Sequence, residues 1–270
     1  MRDYPPGGTK RTRLQPQACT GMIVQIYEIQ TVAEAQRCLE LGVDHIGSVL
    51  LSESKWRRPE LREVVRLSAG TAAKNSMIPL FSGLDVISRA LDYYQPHFVH
   101  LCDNLTDPGG KARHLADLLA LQKGIKERFP EIDIMRTLPL PPKGTLPGFP
   151  TIQLATELEP YSDVFLTDTW LGPEPVEGFV GITGRVCDWE RTGELVAQCR
   201  IPVILAGGLG PENVYEALLA VAPAGVDSCT RTNQVDGNGE PLRFRKAFDR
   251  VKTFVEEVRR AERALYQTAP

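Results

Sequence analysis

The chain lacks any apolar run long enough to cross a bilayer. Its longest, residues 217–222, is six residues, against the roughly 20 that a spanning helix needs. Charge of one sign is lacking too: 31 basic and 34 acidic side chains leave a net −3, so no global field recruits nucleic acid or anionic lipid. Histidine is scarce, with four in 270 residues, and no two of the six cysteines (Cys19, Cys38, Cys102, Cys187, Cys199, Cys229) have the two-residue gap of a zinc or redox motif. The expectation is reduced thiols in a cytoplasmic protein, with no resident metal and no cofactor. The first residues carry no apolar stretch, so no secretory leader is expected. No G-x-G-x-x-G follows the first apolar run, which removes the fingerprint of a dinucleotide-binding fold. What is present is ordinary core material, 42% apolar and 24% charged, in a chain long enough to bury roughly 70–75% of its unfolded surface.

Residues 1–21, rich in Pro, Gly, Gln and basic side chains, predict a flexible arm whose composition cannot offset the entropy of ordering. From residue 22 to 270 the pattern becomes short apolar runs alternating with amphipathic segments. Strands are predicted at 23–27, 45–51, 77–82, 98–101, 132–135, 164–166, 203–206 and 225–228. Helices are predicted at 31–41, 59–68, 85–94, 112–129, 151–159, 188–198, 211–221 and 243–266. The segment 137–150, with five prolines, reads as a structured loop, and 170–185 as a long Gly/Pro loop. Eight strand–helix alternations in one unit favour a single (β/α)8 TIM barrel over an open doubly wound sheet.

In such a barrel the site lies at the strand C-termini. The residues there are Tyr27 and Glu28, the 52–58 segment with Arg57, Ser82, Cys102 and Asp103, Arg136 and Thr137, Asp168 and Thr169, Gly207 and Gly208, and 229–232 with Thr230 and Arg231. The strongest motif is LAGGLGPENV at 205–214. Paired glycines between a buried strand and a helix start expose backbone N–H groups, so an anion, above all a phosphate, is the natural ligand. Thr230 and Arg231 on the neighbouring strand end would complete that cup.

LAGGLGPENV followed by GVDSCT at 225–230 resembles the phosphate end of the phosphoribosylanthranilate isomerase family. The resemblance extends to FLTDT at 165–169, to GITGR at 181–185 with Asp188-Trp189, and to LGVDHIG at 41–47, and covers about 23–248. It implies a TIM barrel, a phosphorylated small-molecule substrate held by Gly207, Gly208, Thr230 and Arg231, and Asp168 as general acid, with Thr183 and Arg185 in the substrate loop. The departures are specific. Tyr27 stands where the family's strand-one cysteine base is expected, and Glu28 where a glycine follows it. The family's carboxylate-binding arginine has only displaced counterparts in Lys55-Trp56-Arg57-Arg58. Strand four ends in Cys102-Asp103, and Arg231 occupies a small-residue position. Tyrosine is a poor base at neutral pH, which leaves Glu28, Cys102 and Asp103 as candidates for that role, with Tyr27, Arg57 and Arg136 lining the substrate. Two functions follow. One is an isomerase of this type, or a diverged isomerase, lyase or hydrolase on a phosphosugar. The other is a non-catalytic phosphate-ligand or scaffold protein whose basic arm (Lys10, Arg11, Arg13) meets a partner. Neither nucleic acid nor membrane is an expected partner, and the sequence carries no signature of an oligomeric state.

Overall fold

The computed structural model describes residues 21–267, so the predicted arm, with Cys19 and its basic residues, lies outside the described residues. Eight parallel strands close into a barrel: β1 Ile23–Ile26, β2 His45–Leu50, β3 Lys74–Pro79, β4 Phe98–Leu101, β5 Asp133–Leu140, β6 Val164–Thr169, β7 Val203–Leu205 and β8 Gly225–Ser228. Closure comes from β1 against β8, in register from Ile23↔Gly225 to Ile26↔Ser228. The helices between them are α1 Val32–Glu40, α2 Pro59–Arg66, α3 Leu84–Tyr94, α4 Ala116–Arg128, α5 Thr151–Leu158, α6 Trp189–Gln198 and α7 Val214–Val221, and α8 Phe248–Gln267 closes the ring. None is long and apolar enough to cross a membrane.

Local sequence explains the helix starts. Thr31 accepts from the Glu34 amide at 3.3 Å while the Glu34 carboxylate takes the Gln30 amide, a reciprocal cap on α1. Asp188 likewise accepts from the Glu190 and Arg191 amides at the start of α6. Strand alternation then sorts the interior. Tyr27, Val49, Phe98, Met135, Leu166, Ile204 and Ala206 fill the barrel, while Ile26, Leu50, Leu138, Phe165 and their neighbours pack outward under the helices. Each fully buried side chain of this kind contributes on the order of 1.5–3 kcal/mol.

Several boundaries shift by a few residues, among them the start of α4 at Ala116 and of α7 at Val214, and three differences are larger or have a clear physical reason. The fifth strand continues to Leu140 through Thr137-Leu138-Pro139, which the sequence reading assigned to a loop. Pro139 is tolerated there: it pairs with Asp168 and its carbonyl accepts from Thr151 Oγ1 at 2.7 Å. The third strand begins at Lys74 rather than 77, because its first residues are polar and carry no apolar signal. The last helix begins at Phe248, and residues before it form an antiparallel hairpin, β9 Asn233–Val235 with β10 Pro241–Lys246. Its turn is made by Asp236, whose carboxylate accepts from the Asn238 and Glu240 amides.

Candidate active site

Two adjoining hollows open at the C-terminal end of the barrel. The first is lined by Gly207, Gly208 and Leu209 after β7, by Ser228 to Arg231 after β8, and by Ile182, Thr183 and Gly184 from the segment before α6. Gly207, Gly208, Thr230 and Arg231 all line this one concave spot, and none of their amides is a donor in the turn and loop backbone bonds. Gly208 has φ +60, and a Cβ there would sit 2.5 Å from the Arg185 carbonyl; only glycine brings these chains together. Arg231 lays its Nε on the Gly184 carbonyl at 3.3 Å, which fixes a cation at the rim. The expected phosphate residues Gly207, Gly208, Thr230 and Arg231 are thus brought together, and Thr183 of the expected substrate loop lines the same hollow. Arg185 departs from its expected role: its side chain is exposed and outside the hollow. Its backbone does the work, accepting from Thr169 Oγ1 at 2.6 Å.

The second hollow lies over the barrel axis. Its wall is mostly apolar, with Val49, Ile78, Leu80 and Leu166 from the strands and Val176, Phe179 and Val180 from above. The last three belong to the segment between β6 and α6, which folds back over the mouth. It is pinned there by Val180 N–H to the Cys102 carbonyl and Asn104 N–H to the Gly178 carbonyl, both 2.9 Å, while Trp170 stacks on Phe149 at its base.

Asp168, Ile182, Asp227 and Cys229 are common to both hollows, so two carboxylates stand where they meet. Burial pushes the Asp168 carboxyl up to about 7, against the opposing pull of the Thr169 amide, which donates to its Oδ1 at 2.7 Å. Gly181, with φ +115, leaves room for that carboxylate, since a Cβ there would strike Asp168 Oδ2. Asp227 is raised to about 8 by burial and next by the charge of Asp168, with Gln25 Nε2 donating to it at 3.2 Å in partial compensation. The two groups titrate as a pair. Both carboxyls are raised first by burial, so between about pH 7 and pH 8 the pair holds one proton between them.

Below them Tyr27 bonds Ser76 and, at 2.7 Å, His100 Nδ1, and His100 Nε2 meets Thr137 Oγ1 at 2.6 Å. Burial pushes His100 down to about 3 and Tyr27 well above 10. Both are neutral and hydrogen-bonded, and Tyr27 lines the hollow as a fixed wall.

The other expected residues are placed differently. Glu28, at φ +63, is buried and held by the hairpin: Arg243 Nε reaches Oε1 at 2.7 Å, and the Phe244 amide and Asn233 Nδ2 reach Oε2. Burial alone would raise its carboxyl, but Arg243 and the Phe244 amide hold it below the ordinary value, so it is a fixed anion and a weak base. Asp103 and Arg136 leave the site altogether. Alternation turns them to the outer face of β4 and β5, where Arg136 Nη1 meets Asp103 Oδ2 at 2.8 Å with the guanidinium fully buried. Cys102 does line the hollow, but burial raises its thiol strongly, so little thiolate exists to act as a base. Arg57 is exposed and lies over the Tyr93 ring at 4.8 Å. Sequence reasoning missed Asp227 and His100. Asp227 sits inside the quoted GVDSCT motif, and its inward direction follows from Val226 packing outward; attention to strand-terminal residues alone passed over it. Among the described residues no group of three or more His, Cys, Asp or Glu side chains is arranged for a metal.

Comparisons with known proteins converge. A family model described as N-(5'phosphoribosyl)anthranilate (PRA) isomerase matches residues 151–230. The chain is similar to the N-(5'-phosphoribosyl)anthranilate isomerase of Methanosarcina acetivorans, 32% identical over 51% of this chain and 55% of the relative. It is also similar to that of Methanothrix thermoacetophila, 27% identical over 85% of this chain and 98% of the relative. Among solved structures, the Pyrococcus furiosus N-(5'-phosphoribosyl)anthranilate isomerase aligns with a TM-score of 0.63 at 23% identity over 88% of this chain and 99% of that one. That last likeness speaks to the barrel.

Proposed function

We propose, from the premise that this chain belongs to the phosphoribosylanthranilate isomerase family, that it is an aldose–ketose isomerase acting on a phosphorylated N-ribosyl amine, with Asp168 and Asp227 as its acid–base pair. The observation that carries this reading is the pair of buried carboxylates at the seam between an amide-lined anion cup and an apolar hollow. The amides of Gly207, Gly208, Thr230 and Arg231, with the Arg231 cation, would hold the phosphate. The sugar then spans the seam. Protonated Asp168 gives its proton to the ring oxygen, the C1–O bond breaks, and the nitrogen lone pair forms an iminium. Ionised Asp227 removes the C2 proton, the electron pair flows back to nitrogen, and the resulting enolamine gains a proton at C1 and loses one from its C2 hydroxyl to become the ketone. Protons and electrons balance without a cofactor. An acid near pH 7 beside an ionised partner suits this chemistry.

Asp227 takes the place of the strand-one cysteine because each candidate named from sequence has a competing commitment: Glu28 to Arg243, Asp103 to Arg136, and Cys102 to its protonated form. The test is conversion of a chemically prepared N-(5'-phosphoribosyl)amine by the wild type and by Asp168→Asn and Asp227→Asn. Each variant is expected to lose about 10²–10⁴ in kcat while still binding inorganic phosphate. Phosphate binding with no conversion by the wild type would instead favour the non-catalytic reading.

A further inference from the structure

The hollow next to the anion cup determines what hangs from the substrate nitrogen. Its far wall is built from Val49, Ile78, Leu80, Val176, Phe179 and Val180. The carboxylates on its lining that stay ionised in the proposed mechanism are Asp227 and Glu28, the latter paired with Arg243. The nearby cations have partners of their own, Lys246 among them on the Cys229 carbonyl and Asn233 Oδ1. Arg58 Nη1 is on Gln30 Oε1 at 2.9 Å, Arg57 lies over Tyr93, Arg136 is outside the barrel on Asp103, and Arg243 holds Glu28. Arg231 belongs to the cup. The imidazole at the floor of the hollow is bonded through both nitrogens.

Resting on the isomerase reading above, we infer that the nitrogen substituent of the substrate is an uncharged apolar ring or chain, and that this wall selects it over a carboxylate-bearing one such as anthranilate. A carboxylate on that ring would be desolvated against aliphatic side chains and would face carboxylates instead of a guanidinium. An unsubstituted ring meets only apolar contacts there, and its burial is favourable. The departures from family pattern at Tyr27, Glu28 and the Lys55–Arg58 run thereby share one explanation: the phosphate end is kept while the end that would read a carboxylate is rebuilt.

Two pairs of compounds test this. The unreactive pair consists of the 5-phosphates of 1-anilino-1-deoxyribitol and its 2-carboxyphenyl counterpart, with dissociation constants from calorimetry. The reactive pair is N-(5'-phosphoribosyl)aniline and N-(5'-phosphoribosyl)anthranilate, compared by kcat/KM. The phenyl compound of each pair is expected to be favoured by at least about tenfold, which is 1.4 kcal/mol. Placing a cation on the wall with Leu80→Lys should shift that ratio toward the carboxylate. Equal or tighter binding of the carboxyphenyl compound overturns the inference, as does failure of both unreactive compounds to bind. Phenyl-selective binding with no conversion of either aminoaldose leaves the wall's selectivity standing and overturns the isomerase reading.

Discussion

At the residue scale the protein is governed by two carboxylates kept out of water. In the proposed mechanism the productive state holds one proton on the pair, so kcat/KM should be bell-shaped, with its maximum between about pH 7 and pH 8, the values to which Asp168 and Asp227 are raised. Below that window the base is protonated; above it the acid has lost its proton. The same shifts predict a cost in stability. A carboxyl raised in the folded state stabilises it fully below the ordinary value near 3.9, and that contribution is lost as pH rises through the folded value. Asp227→Asn should therefore unfold at higher urea than the wild type at pH 8, and the gap should narrow as pH falls and close only below about pH 4. A variant that is both inactive and more stable at alkaline pH marks an ionisable group held for chemistry. Ile182 adds to this picture: a β-branched residue at φ +62 beside Asp168 is strained, and such strain concentrates at functional sites.

Among the elements, the β9–β10 hairpin and the segment over the mouth decide what the barrel top can do. The hairpin is latched through Glu28, whose carboxylate takes Arg243, the Phe244 amide and Asn233, while Lys246 donates to the Cys229 carbonyl at 2.9 Å. Arg243→Ala leaves a buried anion without its cation and should cost about 3 kcal/mol in urea unfolding. Glu28→Gln removes the charge, retains an acceptor and should cost less. Glu28 lies below its ordinary value, so the latch is present above about pH 4.3 and weakens as pH falls below it, the opposite sense to Asp227. The covering segment depends on Gly181. Gly181→Ala would drive a methyl into Asp168 at a φ that alanine adopts poorly, and kcat should fall by at least tenfold with KM little changed.

For the whole molecule, closure of the ring couples the proposed anion cup to global stability, since its residues follow β7 and β8 and β8 seals the barrel against β1. An anion that binds only the folded cup stabilises the entire domain by mass action, about 2.7 kcal/mol at a hundred times its Kd. Inorganic phosphate should therefore raise Tm by several degrees. Gly208→Ala, which forces the Arg185 backbone away, should abolish most of that rise, and the wild type without phosphate provides the reference. A Tm insensitive to phosphate would count against the cup.

The eight alternations and the hollow that gathers Gly207, Gly208 and Asp168 were legible in the sequence because each is written in a window of about ten residues: an apolar strand run, a Gly-Gly before a helix start, an acidic residue closing a strand. The fates of Glu28, Asp103 and Arg136 were not. Glu28 and its partner Arg243 are 215 positions apart, and only a closed ring brings β1 beside the hairpin that follows β8. Asp103 and Arg136 lie at strand ends as read, yet the face each presents depends on strand phase, and one step of alternation separates the hollow from the outer layer. Asp227 was legible as a motif residue but not as a titrating one. Its proton affinity is set by burial and by Asp168 two strands away, and a distance through space is a quantity that no local window contains.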